Sequence, residues 1–170
     1  MKQGWEMKQL GEVCTLINGR AYKKDELLDS GKYLVLRVGN FFTNKHWYYS
    51  DLELNDDKYC DNGDLLYAWS ASFGPRIWEG EKVIYHYHIW KIKLDSNLII
   101  KNYLFQFLVW DKESIKSSHG TGTTMIHVSK GSMESRMLPL PPLDEQKRIV
   151  SKLDECFKAI DKAIANVEKN

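Results

Sequence analysis

Apolar and polar residues alternate over five short stretches, 13–18, 33–38, 65–69, 82–85 and 88–94, rich in β-branched and aromatic side chains. That rhythm predicts strands, and Asn62-Gly63 marks a turn ahead of the third. The compact apolar run 103–111 predicts a buried helix, and the Ser-, His-, Gly- and Thr-rich stretch 114–124 predicts a loop. After residue 142 the rhythm changes. Val150, Leu153, Phe157, Ile160, Ile164 and Val167 follow at steps of 3, 4, 3, 4 and 3, which keeps a narrow apolar seam on one side of a helix. Mixed charges fill the rest of its surface. Pro139, Pro141 and Pro142 stiffen the approach; Pro142 suits a first helical turn, and Asp144 and Glu145 suit the positive end of the helix dipole. The fold class is therefore α+β, a strand-rich domain over residues 1–141 followed by a long C-terminal helix over 142–170. The seam fits pairing with a partner helix, in a coiled coil, or packing of an amphipathic helix on its own domain.

The chain of 170 residues, 43% hydrophobic and 28% charged, has room for one domain of ordinary size plus this arm. A net charge of +1 does not announce a polyanionic partner, but its distribution is uneven. Residues 1–50 carry eight Lys or Arg against five acids, whereas residues 51–64 carry six acids against Lys58. The acids scatter through a turn-rich stretch that reads as a solvated loop. Three cysteines without metal-like spacing fit reduced thiols and a cytoplasmic location. No signal peptide is recognised, and no apolar run is long enough to cross a bilayer.

Candidate chemistry is sparse. Gly120-Thr-Gly122-Thr-Thr lacks the strand-to-helix setting of a phosphate cradle, and its small donors suit contact with a nucleic-acid backbone, with His119, Thr121, Thr123, His127 and Lys130 close in sequence. His86-Tyr-His88 puts two imidazoles at metal-compatible spacing without a third ligand. Basic, amide and aromatic side chains gather near strand ends: Arg20, Lys23, Lys24, Arg37, Asn40, Lys45, Trp69, Ser70 and Arg76. Arg and Asn pair bidentately with bases in a major groove, and Lys neutralises phosphates. Each is equally at home tying down a turn or filling a core.

Taken together, the segments resemble the specificity subunit of type I DNA restriction-modification systems along essentially the whole chain. The residues that carry the resemblance are Leu138-Pro-Leu-Pro-Pro-Leu-Asp-Glu-Gln-Lys-Arg-Ile-Val, like the family's junction between target-recognition domain and spacer helix, and Trp5 through Leu10-Gly-Glu-Val13, like its opening. Internal landmarks are Leu36-Arg-Val-Gly-Asn40, Gly63-Asp-Leu-Leu66 and Gly122-Thr-Thr-Met-Ile-His-Val-Ser-Lys130. Members carry two recognition domains and two spacers, and this sequence carries one of each, as a half-subunit or a fragment would. The resemblance implies a non-catalytic subunit that reads half of a bipartite duplex DNA target. It also implies antiparallel pairing of the helix with a second copy or a second specificity half. Methyltransferase subunits using S-adenosylmethionine and a restriction subunit using ATP would complete the system, with no cofactor in this chain. Two other readings stand beside it: a coiled-coil adaptor without DNA affinity, and a small metal-dependent nuclease using His86, His88 and the acids of 51–64.

Overall fold

The computed structural model describes residues 3–118 and 127–168. It is a mixed α+β structure, rich in strands, that ends in a long helix. Among the described residues, ten strands form three sheets. The first sheet is a two-stranded ribbon that ties the ends of the body together: β1 (Glu6–Gln9) runs antiparallel to β10 (Met137–Leu140), with Met7 opposite Pro139. Proline cannot donate to a ladder, so it is tolerated in such an edge strand and excluded from a central one.

The second sheet has the order β2-β9-β6-β7, built from β2 (Cys14–Asn18), β9 (Ile89–Leu94), β6 (Leu65–Ala68) and β7 (Gly74–Ile77), all antiparallel. The third has the order β4-β3-β8-β5, from β4 (Tyr48–Ser50), β3 (Tyr33–Leu36), β8 (Val83–Tyr85) and β5 (Tyr59–Cys60), with β3 and β8 parallel. The two larger sheets meet over a core that includes Leu36, Phe41, Leu66, Trp78, Tyr85 and Ile89. The opposite face of the second sheet supplies Leu16, Leu65, Tyr67, Trp90 and Ile92 to a larger core, together with Tyr103, Leu104, Phe107 and Leu108 of α3 (Lys101–Ser118). Strand β6 is thus buried on both faces, which is why Leu65-Leu-Tyr-Ala68 is continuously apolar.

All five sequence-predicted strands exist, trimmed at their ends. Val13 closes a one-turn helix, α1 (Leu10–Val13), and Val38 opens another, α2 (Val38–Phe41). Helix α3 absorbs 103–111 but continues to Ser118, so residues 114–118 are helical where a loop is expected. Asp111, buried in α3, explains the continuation, because Arg136 grips both of its carboxylate oxygens and also donates to Ser114 Oγ at 3.1 Å. The acidic stretch 51–64 is not a free linker: a 3-10 turn at Asp56–Lys58 leads into β5, whose two residues are buried.

A short helix, α4 (Lys130–Glu134), capped by Ser129 Oγ, precedes β10, and α5 (Leu143–Val167) follows it. Pro142 is the N-cap of α5, with φ −52° and ψ 151°, rather than a first-turn residue; Asp144 and Glu145 do occupy the first turn. Helix α5 begins at Leu143, but burial changes later. Gln146 and Val150 are buried in the body, and from Ser151 the helix stands clear except at half-buried Leu153. No helix among the described residues is long and apolar enough to cross a membrane.

Candidate functional site

Four chain segments converge at one end of the second sheet: the exit of β2, the exit of β6, the turn between β8 and β9, and residues 127–130. Gly19 makes the convergence possible. A Cβ there would sit 2.1 Å from the carbonyl oxygen of Tyr85 and 2.5 Å from that of His86, so only glycine lets the chain leaving β2 cross the end of β8. The crossing pairs Arg20 with His86 in a bridge, and Arg20 N–H donates to Tyr85 O at 3.0 Å. Tyr87, at the tip of the β8–β9 turn, is held by its main chain: its N–H donates to Arg20 O at 3.0 Å, and its carbonyl accepts from Asn18 Nδ2 at 3.1 Å and Trp69 Nε1 at 3.0 Å.

Around this turn the rings form a connected group. Trp69 lies 4.7 Å from His88, 5.5 Å from Tyr87 and 6.0 Å from His127, centroid to centroid, and His86 lies 4.9 Å from His88. Trp69, Asn18, Tyr87, Trp90, His127 and Lys130 border a cleft of about 460 Å³. Burial disfavours the protonated form of His86 and His88. His86 is pushed down to about 4 by desolvation, with His88 and Arg37 adding repulsion, and His88 is lowered by desolvation and by His127.

The sequence-predicted site residues divide sharply. Trp69, Ser70 and Lys130 meet here, Ser70 through its bridge to His127, although Ser70 itself is buried. Arg37 adjoins through its effect on His86, with its guanidinium 5.1 Å from the Tyr48 ring. Arg20 is adjacent but committed: it makes two hydrogen bonds of 2.7 and 2.8 Å to Glu26, whose carboxyl it holds down to about 2. Lys23 and Lys24 are exposed at the 3-10 turn Lys24–Glu26, and Lys45 is exposed in a loop where Asn44 and His46 take left-handed conformations.

Two expected readers point elsewhere. Asn40 is 2% exposed, its Oδ1 accepting from Arg37 N–H at 2.7 Å and its Nδ2 donating to Val35 O at 3.1 Å, so it builds the turn after β3 rather than facing a base. Arg76 donates to Phe41 O and packs over Trp78, which ties β7 to α2. His119, Thr121 and Thr123 lie outside the described residues. Sequence reasoning missed Asn18, Gly19 and Tyr87, and read His86 and His88 as packing or metal ligands. Among the described residues no group of three or more His, Cys, Asp or Glu is placed to hold a metal ion.

The arm forms a second feature. Of its six seam residues, Val150 packs in the body's core and Leu153 is half-buried, whereas Phe157, Ile160, Ile164 and Val167 are exposed. The start of the row continues onto α3: Leu153 and Phe157 with Tyr103, Phe107 and Trp110 line an apolar groove of about 380 Å³, and Trp110 is 68% exposed.

Comparison with known proteins agrees with this architecture. The specificity subunit of the type I restriction enzyme MjaVIII of Methanocaldococcus jannaschii is 30% identical over 98% of this chain and 40% of its own length. That of EcoBI of Escherichia coli is 25% identical over 97% of this chain and 35% of its own. This chain thus spans well under half the length of these relatives. The solved HsdS subunit of Thermoanaerobacter tengcongensis shares the fold, with a TM-score of 0.75 at 20% identity over 95% of this chain and 39% of that one. A structure from a study of assembly and conformational transition of the type I R-M system superposes with a TM-score of 0.78 over 99% of this chain and 43% of that one, at 20% identity. The model of the type I restriction modification DNA specificity domain matches residues 2–169, and the chain belongs to that family.

Proposed function

We propose that this chain is a DNA target-recognition module that reads one half of a bipartite duplex sequence and positions other subunits through its helical arm. The observation that carries the reading is the combination of a family match over the whole body with an arm whose distal apolar row is exposed among the described residues. A row of exposed Phe157, Ile160, Ile164 and Val167 is costly in water and favours a partner helix. That partner is a second copy of this chain or a second specificity half. The chemistry belongs to other chains: methylation to modification subunits that bind S-adenosylmethionine and flip the target base, cleavage to a restriction subunit that uses ATP. The assembly works in the cytoplasm.

The test is the methylated motif in cells that express this chain with its methyltransferase partner. Replacing residues 1–141 with the corresponding domain of another family member, while keeping the arm, should change the half-site sequence. An unchanged motif would remove sequence reading from the body and leave an adaptor held by the arm.

A further inference from the structure

The turn at Tyr87 combines three properties. It is rigid, since three main-chain hydrogen bonds fix Tyr87 to Asn18, Arg20 and Trp69. It presents a large aromatic side chain, 46% exposed, edge-on to Trp69 and flanked by His88. A fixed aromatic offers contact area with little conformational entropy left to lose on binding.

Basic side chains stand near both of its ends. Arg37 stands at this end because its chain neighbour Leu36 accepts a hydrogen bond from His86 N–H at 2.9 Å, and the rings of His86, His88 and His127 follow one another at 4.9 and 6.5 Å. Lys130 stands at the far wall of the cleft, about half-exposed, with its ammonium 3.7 Å from Glu134. Aromatic faces, imidazole donors and cations at both ends suit a polyanion that carries sugars and flat heterocycles.

We infer that the ledge formed by Trp69, Tyr87, His88 and His127, with Arg37 at one end and Lys130 at the other, is where this domain grips duplex DNA. Tyr87 lies against deoxyribose and base edges in a groove, and Arg37 and Lys130 take phosphates on either side. The inference rests on the DNA reading above and names the residues that carry it.

The experiment titrates the full chain into a short fluorescent duplex of random sequence at low salt, followed by anisotropy. Tyr87→Ala should weaken binding about tenfold. Lys130→Gln should flatten the slope of log affinity against log salt by ~0.9. Lys162→Gln, on the arm, should change neither, and near-ultraviolet circular dichroism identifies any variant that loses its fold. In a second arm, a duplex carrying 5-bromodeoxyuridine is irradiated, and cross-links should map to the peptide that contains Tyr87, which needs no substitution at all. Wild-type affinity and salt slope in both variants, with cross-links elsewhere, would overturn the ledge and leave the DNA reading standing. Absence of salt-dependent duplex binding by the wild-type chain, alone and with its methyltransferase partner, would overturn both.

Discussion

The side chain of Gln146, fully buried in the second turn of α5, accepts a hydrogen bond from Ile100 N–H at 2.9 Å. Its Nε2 donates to Leu98 O at 2.8 Å and Pro141 O at 2.9 Å. One amide therefore locks three places together: the entry to α3, the last residues of the proline segment, and the arm. The prolines limit the path of the chain, but this clamp sets the direction in which the arm leaves.

Replacing Gln146 by Ala would remove the partner of a part-buried N–H, of a part-buried carbonyl and of the buried carbonyl of Pro141. The expected cost is about 1–3 kcal/mol, read as a lower urea midpoint of the whole chain. Gln146→Glu should be no better, because an ionised carboxylate cannot donate to Leu98 O or Pro141 O. Wild-type midpoints in both variants would mean that the prolines alone hold the junction.

Stability should fall as the solution is acidified from pH 6.5 toward 4, and His86 should account for much of the fall. Its folded-state value, about 4, lies below the 6.5 of the free group because burial disfavours the imidazolium. The unfolded chain therefore takes up a proton first on acidification, and the stabilisation is full above 6.5 and lost as pH falls toward 4. The groups facing His86 are Tyr22, Arg20, Arg37 and His88, none of them a carboxylate, and His88 is shifted in the same direction. His86→Asn should flatten the urea midpoint across this window. Glu26, held near 2 by Arg20, loses its contribution only below 4.5 and so marks a separate, more acidic step.

How much of this was legible in the sequence follows from what each residue's neighbours are. The five strands show because their pattern is local, and β6 shows most clearly because both of its faces are buried. The ribbon of β1 and β10 does not, since its partners lie more than a hundred residues apart and one contains Pro139. Asn40 and Arg76 carry the right groups for base reading, yet their bonds go to Val35 and Phe41, which no spacing rule anticipates. The Tyr87 ledge was hidden for the opposite reason. Asn18, Trp69, Tyr87 and His127 lie in separate segments, brought together by the crossing that Gly19 permits and by the bridge between Ser70 and His127.

Self-association should run through the distal arm. Phe157→Asp with Ile160→Asp changes two exposed seam residues, so the body should stay folded while the dimer mass is lost in sedimentation. Val150→Asp should behave differently: it buries a carboxylate in the core and should unfold the body, with a cost of several kcal/mol. If the arm's natural partner is the methyltransferase subunit, the double variant should instead weaken that complex. A dimer that survives the double substitution would place the interface outside the seam.

The spacing of the DNA target should follow the length of the arm. Two copies paired antiparallel about a two-fold axis would present identical bodies to the duplex in inverted orientation, so the recognised sequence should be a bipartite palindrome. Helix α5 has 25 residues, and at 1.5 Å per residue it is about 38 Å long. That is close to the ~34–36 Å of one DNA turn between half-sites read from the same face, which leaves several unread base pairs between them. The first two turns are fixed to the body by Gln146 and Val150, so only the helix beyond them can change the separation without disturbing the bodies. Inserting four residues, about one helical turn, after Leu153 in each copy should lengthen the unread spacer and leave both half-site sequences unchanged. Methylation mapped in cells that express the lengthened chain with its methyltransferase partner decides the matter. A changed half-site with an unchanged gap would mean that the bodies, not the helix, set the distance.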